Sequence, residues 1–273
     1  GDIVSGFVQK VERGNVIVDL SRATGIITFD EQIPGERYRR GERIRAYLYS
    51  VEDGIRGITL KLSRTHPKFI ESLFAIEAPE VASGVVEIRA IAREAGARSK
   101  IAVMSNDPNV DPVGSCVGQK GIRVATVMSE LGTEKIDIIP WNEDFATFVS
   151  NALSPAHALK VTVDEETHEA HVDVKEDELS LAIGKGGQNV RLAAKLTGWK
   201  IDIKGVSADG SEIIPEDVGR PVQAKEEAPI DSSLEAKEEV SDEEAQTPLV
   251  EIDEPVKKED DEDYEESKVE SRS

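Results

Sequence analysis

Between residues 64 and 206 the order helix, strand, strand, glycine bend, helix, strand occurs twice. Each copy contains a four-residue segment framed by glycine: Gly118-Gln119-Lys120-Gly121 and Gly184-Lys185-Gly186-Gly187. Each copy also closes on Ile-Asp-Ile, at 136–138 and at 201–203. The glycine segments lie 66 residues apart and the closing strands 65, so the copies match with one residue of slippage. An internal repeat of supersecondary units limits the possible folds more than either copy alone.

The glycine segments also carry chemistry. Without a Cβ, the chain turns sharply and lets another backbone lie against it. The helix that follows points free N–H groups outward, a setting for phosphate. Lys120 and Lys185 place an ammonium within each segment, and Arg123, Arg191 and Lys195 add positive charge along the helices. Val117, Ala182 and Ile183 are expected to offer an apolar floor for bases. A lone GxxG is more often a turn or helix cap. Two copies at one place in a repeated pattern, each holding a lysine, point instead to a long thin polyanion, with single-stranded RNA the leading candidate.

The net charge of −21 is unevenly spread. From Val206 to Ser273 there are 24 acidic and 7 basic residues, whereas the first 205 residues hold 30 and 26. The tail therefore sets the bulk charge, and the body is close to neutral. Apolar periodicity vanishes past about Ser207, and the run Glu259–Asp263 is wholly acidic. Such a segment cannot bury enough apolar surface to offset its ordering entropy, so it is expected to be disordered. One cysteine, Cys116, excludes an intrachain disulfide and fits a reducing compartment. No apolar run approaches the roughly 18 residues of a membrane span, and no signal peptide is visible. The chain starts at Gly-Asp-Ile-Val, inside a strand pattern, so further sequence is expected upstream.

Residues 1–62 read as five short strands with turns at Arg13-Gly14, Pro34-Gly35 and Asp53-Gly54, which suits a small closed barrel. Along 43–49, Arg43, Arg45, Tyr47 and Tyr49 share one face and Ile44, Ala46 and Leu48 the other. The apolar face reads as core. The other is either a stacking and phosphate-binding face or a solvated face whose tyrosines cover the next domain. Arg37, Tyr38, Arg39 and Arg40 add charge just before it, and Phe7 is a further candidate.

Other signals fail on inspection. Asp107-Pro-Asn-Val-Asp111 resembles the start of an EF-hand, but position six is Pro112 and position twelve is Gly118. His168-Glu-Ala-His171 is one residue short of HExxH, and neither glycine segment completes GxxxxGK[ST]. Cys116 reads as a small buried residue. No catalytic residues, metal ligands or cofactor are assigned.

The strings Ser63-Arg-Thr-His-Pro67, Lys100–Gly114, Val117–Arg123, Glu134–Ile138 and Ala182–Ala193 together resemble the NusA family of bacterial transcription termination/antitermination factors. The resemblance runs from Gly1 to about Gly205. It implies an α+β multidomain chain: a five-stranded S1/OB β-barrel over 1–63, two type II KH domains over 64–141 and 142–206, and the disordered acidic tail over 207–273. It further implies a cytoplasmic protein, taken as a monomer, that acts on transcribing RNA polymerase and its nascent single-stranded RNA. Other antitermination factors are possible partners. The family's N-terminal polymerase-contacting domain lies outside these residues. The expected function is non-enzymatic RNA binding in pausing, termination and antitermination. The alternative is an RNA-binding module of an RNA-processing or ribosome-associated protein. The expected RNA contacts are Gly118, Gln119, Lys120, Gly121, Arg123, Gly184, Lys185, Gly186, Gly187, Arg191 and Lys195, with Arg43, Arg45, Tyr47 and Tyr49 on the barrel.

Overall fold

The computed structural model describes residues 1–54, 57–206 and 212–213. The acidic tail, apart from 212–213, lies outside the described residues. Five strands come first: β1 (Ile3–Glu12), β2 (Asn15–Asp19), β3 (Thr24–Ile27), β4 (Arg43–Gly54) and β5 (Gly57–Ser63). They close into a barrel in the order β1-β2-β3-β5-β4. Only β3 and β5 run parallel. Alternation sends Val8, Val16, Val18, Ile27, Ile44, Ala46 and Leu62 into the barrel interior.

The first α/β unit contains α1 (Pro67–Glu77), α2 (Pro79–Ala82), β6 (Val86–Glu94), β7 (Arg98–Ser105), α3 (Pro112–Val117), α4 (Ile122–Glu130) and β8 (Lys135–Pro140). Its sheet runs β6-β7-β8, antiparallel then parallel. The second unit contains α5 (Phe145–Ala152), β9 (Ala158–Asp164), β10 (Glu169–Lys175), α6 (Glu176–Ile183), α7 (Gln188–Thr197), β11 (Lys200–Val206) and β12 (Glu212–Ile213). Its sheet runs β12-β11-β10-β9, with β10 and β11 parallel. The repeat seen in the sequence is thus a repeat of fold.

Helix α3 departs from what the sequence suggests: residues 106–114, rich in proline and asparagine, read as loop, yet α3 begins inside them. Pro112 occupies the first helical position, where its missing N–H costs nothing, and the Asp111 carboxylate accepts from the Val113 N–H at 3.0 Å. Each glycine bend therefore joins two helices, α3 to α4 and α6 to α7.

The seams between units are filled like interiors. Ile33 and Tyr47 of the barrel lie in one buried cluster with Phe69, Ile70, Leu73 and Phe74 of α1. Ala92, Ala102 and Ile139 of the first sheet share another with Leu192, Ala193 and Leu196 of α7. Buried charges fix the same seams. The Arg64 side chain is 3% exposed. It grips Glu36 through two bonds of 2.8 and 2.7 Å and donates to the Glu130 carboxylate, the Glu130 carbonyl and the Arg45 carbonyl. Lys100 is fully buried in β7 and donates to Asp137 and across the seam to the Ser154 carbonyl at 2.6 Å.

Glu134 is fully buried against Arg93. Its carboxylate accepts two bonds from that guanidinium, one from Ser99 Oγ and one from the Gly96 N–H. Arg93 donates its remaining arm to the His66 carbonyl. Every strong acceptor site on Glu134 is thus filled, which is the condition for burying a charge. Glu134→Ala strands the Arg93 guanidinium and is expected to destabilise the chain by about 3–5 kcal/mol, read as a shift in urea midpoint at constant slope. Burial also pushes the Cys116 thiol up to about 11. Native protein at pH 8 should therefore resist thiol alkylation until it is unfolded.

Candidate nucleic-acid interface

The two glycine bends have the same backbone. Gly118 and Gly184 sit at φ/ψ of 74/173 and 75/170, a region open essentially to glycine alone. Lys120 and Gly186 follow at 54/24 and 59/27, then Gly121 and Gly187 at 77/15 and 72/16. The third position is thus left-handed in both copies, held by lysine in one and glycine in the other.

The outer glycines of each bend serve different purposes. A Cβ on Gly118 would lie 2.6 Å from Arg123 Cγ, and one on Gly184 would lie 2.8 Å from Asn189 Cβ and 2.9 Å from its backbone nitrogen. The first glycine is therefore needed by the protein's own packing. A Cβ on Gly187 would meet nothing within 4 Å, and one on Gly121 only Val124 at 3.9 Å. The last glycine faces open space.

Arg123 and Asn189, each five residues after its first glycine, brace the helix before the bend. Arg123 Nη1 donates to the Ser115 carbonyl at 2.6 Å and to Glu80 at 3.0 Å. Asn189 Nδ2 donates to the Leu153, Ala182 and Leu181 carbonyls. Arg123, expected to add charge for a ligand, is thus already engaged within its own unit. Arg191 is likewise committed, to Glu94 and to the Gly186 carbonyl. Gln119, Lys120, Lys185 and Lys195 are exposed. Lys120 and Lys185 make no ion pair among the described residues. A cleft beside the first bend is lined by Glu80, Asp111, Ser115, Gly118, Gln119 and Ile122.

The apolar floor also differs from expectation. Ala182 is fully buried and belongs to the core, while Val117 and Ile183 are half-buried. The apolar side chains that reach solvent are Ile122, 66% exposed, and Leu181, 46% exposed. Sequence periodicity placed them on helices but not on an open side.

On the barrel, alternation along β4 assigns the faces correctly, but the outer face is partly covered. Tyr47, expected to stack bases, is 6% exposed and lies against the His66 ring with centroids 4.8 Å apart. It is a seam residue because α1 packs over that part of β4. Arg45 is half-buried and pairs with Glu130 of α4 at 3.6 Å. Arg43 is exposed, with Nε donating to Ser5 Oγ at 3.0 Å. It is directly opposite Phe7, itself 55% exposed. Tyr49 is 39% exposed at the bulge in β4, between Leu48 and Ser50; burial, then the nearby Glu31, raises its hydroxyl pKa. Arg37, Arg39 and Arg40 are exposed, and the Tyr38 hydroxyl donates to Glu36. Among the described residues, no group of three or more His, Cys, Asp or Glu is placed to hold a metal ion. No described helix is long and apolar enough to cross a membrane.

The S1 RNA binding domain family matches residues 1–63, the NusA-like first KH domain 64–141 and the NusA-like second KH domain 145–210. Proteins called transcription termination/antitermination protein NusA match over about three quarters of the chain. The one from Halalkalibacterium halodurans is 52% identical over 206 residues, which is 76% of this chain and 54% of that protein. The chain belongs to the NusA family. The Bacillus subtilis NusA protein is 51% identical over 203 residues, 74% of this chain and 55% of its own. That from Thermus thermophilus is 52% identical over 202 residues, 74% and 52%. The chain thus spans about half the length of these NusA relatives. Its barrel is an S1 domain, and its two α/β units are KH domains.

The glycine geometry sets an order of tolerance. Gly184→Ala combines a glycine-only conformation with a backbone collision and should cost at least ~2 kcal/mol. Gly187→Ala adds only left-handed strain and should cost about 1 kcal/mol. Parallel thermal melts check the order, and equal losses would contradict it.

Proposed function

We propose that the chain binds single-stranded RNA along its two KH bends, with the S1 barrel as a further contact surface. The observation that carries this reading is the pair of matching bends, each open at its last glycine and each bearing an exposed lysine that makes no ion pair among the described residues. Backbone amides at the start of α4 and α7 and the ammonium groups of Lys120 and Lys185 would meet phosphates. Ile122 and Leu181 would seat bases. On the barrel, Phe7 and Arg43 form the favoured contact pair, one to stack and one to meet phosphate.

The spacing of the bends suits one continuous strand. Helix α4 runs toward the Glu94 end of β6, since its last residue Glu130 bonds Arg64 beside the α1 junction. The first bend, at the other end of α4, therefore lies toward Val86. The second bend touches Glu94 through Arg191. The nine residues of β6 span about 26 Å, eight steps at roughly 3.3 Å. With about four nucleotides per KH domain and about four or more on the barrel, a strand on the order of ten nucleotides is the fitting ligand.

By family, this RNA is the nascent transcript. The wider role is a non-enzymatic one in pausing, termination and antitermination at RNA polymerase in the cytoplasm. Contact with polymerase or with other antitermination factors belongs to that wider reading.

The Gly121→Asp, Gly187→Asp double variant should lose at least tenfold in RNA affinity, because a carboxylate would occupy the place of a phosphate; circular dichroism verifies the fold. Unchanged affinity of the folded variant would defeat the reading. Lys120→Ala with Lys185→Ala should flatten the slope of log affinity against log salt by about 1.4, at roughly 0.7 per single-strand phosphate contact. Filter binding over a salt series measures it.

A further inference from the structure

The second bend is braced by the neighbouring domain. Glu94 ends β6 of the first KH domain, and its carboxylate crosses the seam to α7. Oε1 accepts from Arg191 Nε at 2.7 Å, and Oε2 accepts from Gln188 Nε2 at 2.8 Å. Gln188 is the residue directly after Gly187. Arg191 Nη1 turns the other way and donates to the Gly186 carbonyl at 3.1 Å. One planar guanidinium therefore joins a carboxylate of the first domain to the bend of the second, a task its rigid fork suits. The bond from Arg191, followed in effect by that from Gln188, holds the Glu94 carboxyl below its usual range against the opposing effect of burial.

The first bend has no counterpart to this arrangement. Shifted back by the 66-residue repeat, Gln188 becomes Ile122 and Arg191 becomes Ala125. That bend is braced within its own domain by Arg123, Ser115 and Glu80. The difference is directional: the first domain supports the second bend, and among the described residues nothing comparable runs the other way.

We infer that Glu94 is a positioning residue for the second bend, fixing its distance from the first so that one RNA strand meets both at a preset spacing. This rests on the RNA-binding reading above. A strand held at two sites gains affinity through effective concentration, which is greatest when the span matches. A bend already fixed also avoids an ordering cost on binding. Arg191 here acts through the bend and is not itself a phosphate contact.

The test uses the full chain, an RNA of about ten nucleotides spanning both bends and one of about four filling a single bend. Glu94→Ala and Arg191→Lys should each weaken the long RNA about five- to tenfold and the short RNA less than twofold. The double variant should be no worse than the weaker single, and the salt slope should not change. Retained affinity in Arg191→Lys, or tighter binding with a steeper salt slope in Glu94→Ala, would make Arg191 a phosphate contact and overturn the proposal. Equal loss for both RNAs would overturn it as well, because Glu94 would then maintain only the local fold. If the wild-type chain binds neither RNA, the functional reading fails by itself. The brace is then judged by amide exchange across 184–188 in free protein, which Glu94→Ala should accelerate. Unchanged exchange rules the brace out.

Discussion

Burial of a few fully paired charges holds the barrel and the two KH domains, residues 1–206, in one arrangement. Arg64 between barrel and first KH domain, the Arg93–Glu134 pair inside that domain, and Lys100 between the KH domains are all nearly or wholly inaccessible. Removing such groups from water costs several kcal/mol each, and only saturated hydrogen bonding offsets it. That saturation requires partners from two units at once: Glu36 and Glu130 for Arg64, Asp137 and the Ser154 carbonyl for Lys100. Apolar clusters give the seams cohesion, and the charges give them a single geometry. The apolar term is non-directional, while a bidentate pair tolerates little displacement.

Fixed geometry at the seams gives the glycine bends their meaning as a set. Each bend alone is a small site, with a few amides, one lysine and one exposed apolar side chain. On the proposed reading, two bends at a set distance along β6, with Phe7 and Arg43 on the attached barrel, would serve one extended strand. The first glycine of each bend closes the protein against itself, and the last leaves room for something else. Both glycines serve the turn through their positive φ, but only the first is also required by packing.

Much of the architecture could be read from the residues. Period-two alternation located the barrel strands, and the repeated motif located α4, α6, α7 and the two closing strands. Alternation assigns a residue to a face but does not say what covers that face. Tyr47 and Tyr49 therefore looked equivalent, although α1 covers one and leaves the other half-open. Cations posed the same difficulty. Arg123 and Arg191 looked like free charge next to glycine, but their partners Glu80 and Glu94 are 43 and 97 residues away. Pairings that distant have no local pattern. The α3 helix was missed for a different reason: Pro112 reads as a breaker unless Asp111 is seen as its cap. Ala182 was misplaced because a small apolar residue beside a loop looks the same whether it lines a groove or fills a core.

The shared clusters have an evolutionary corollary. Ala92, Ala102 and Ile139 of the first KH domain are kept dry by Leu192, Ala193 and Leu196 of the second. Cutting the gene between Pro140 and Phe145 would leave both fragments with bare, greasy surfaces. Either module moved singly into a new protein would carry that uncovered face with it, which favours inheritance of the pair as one block.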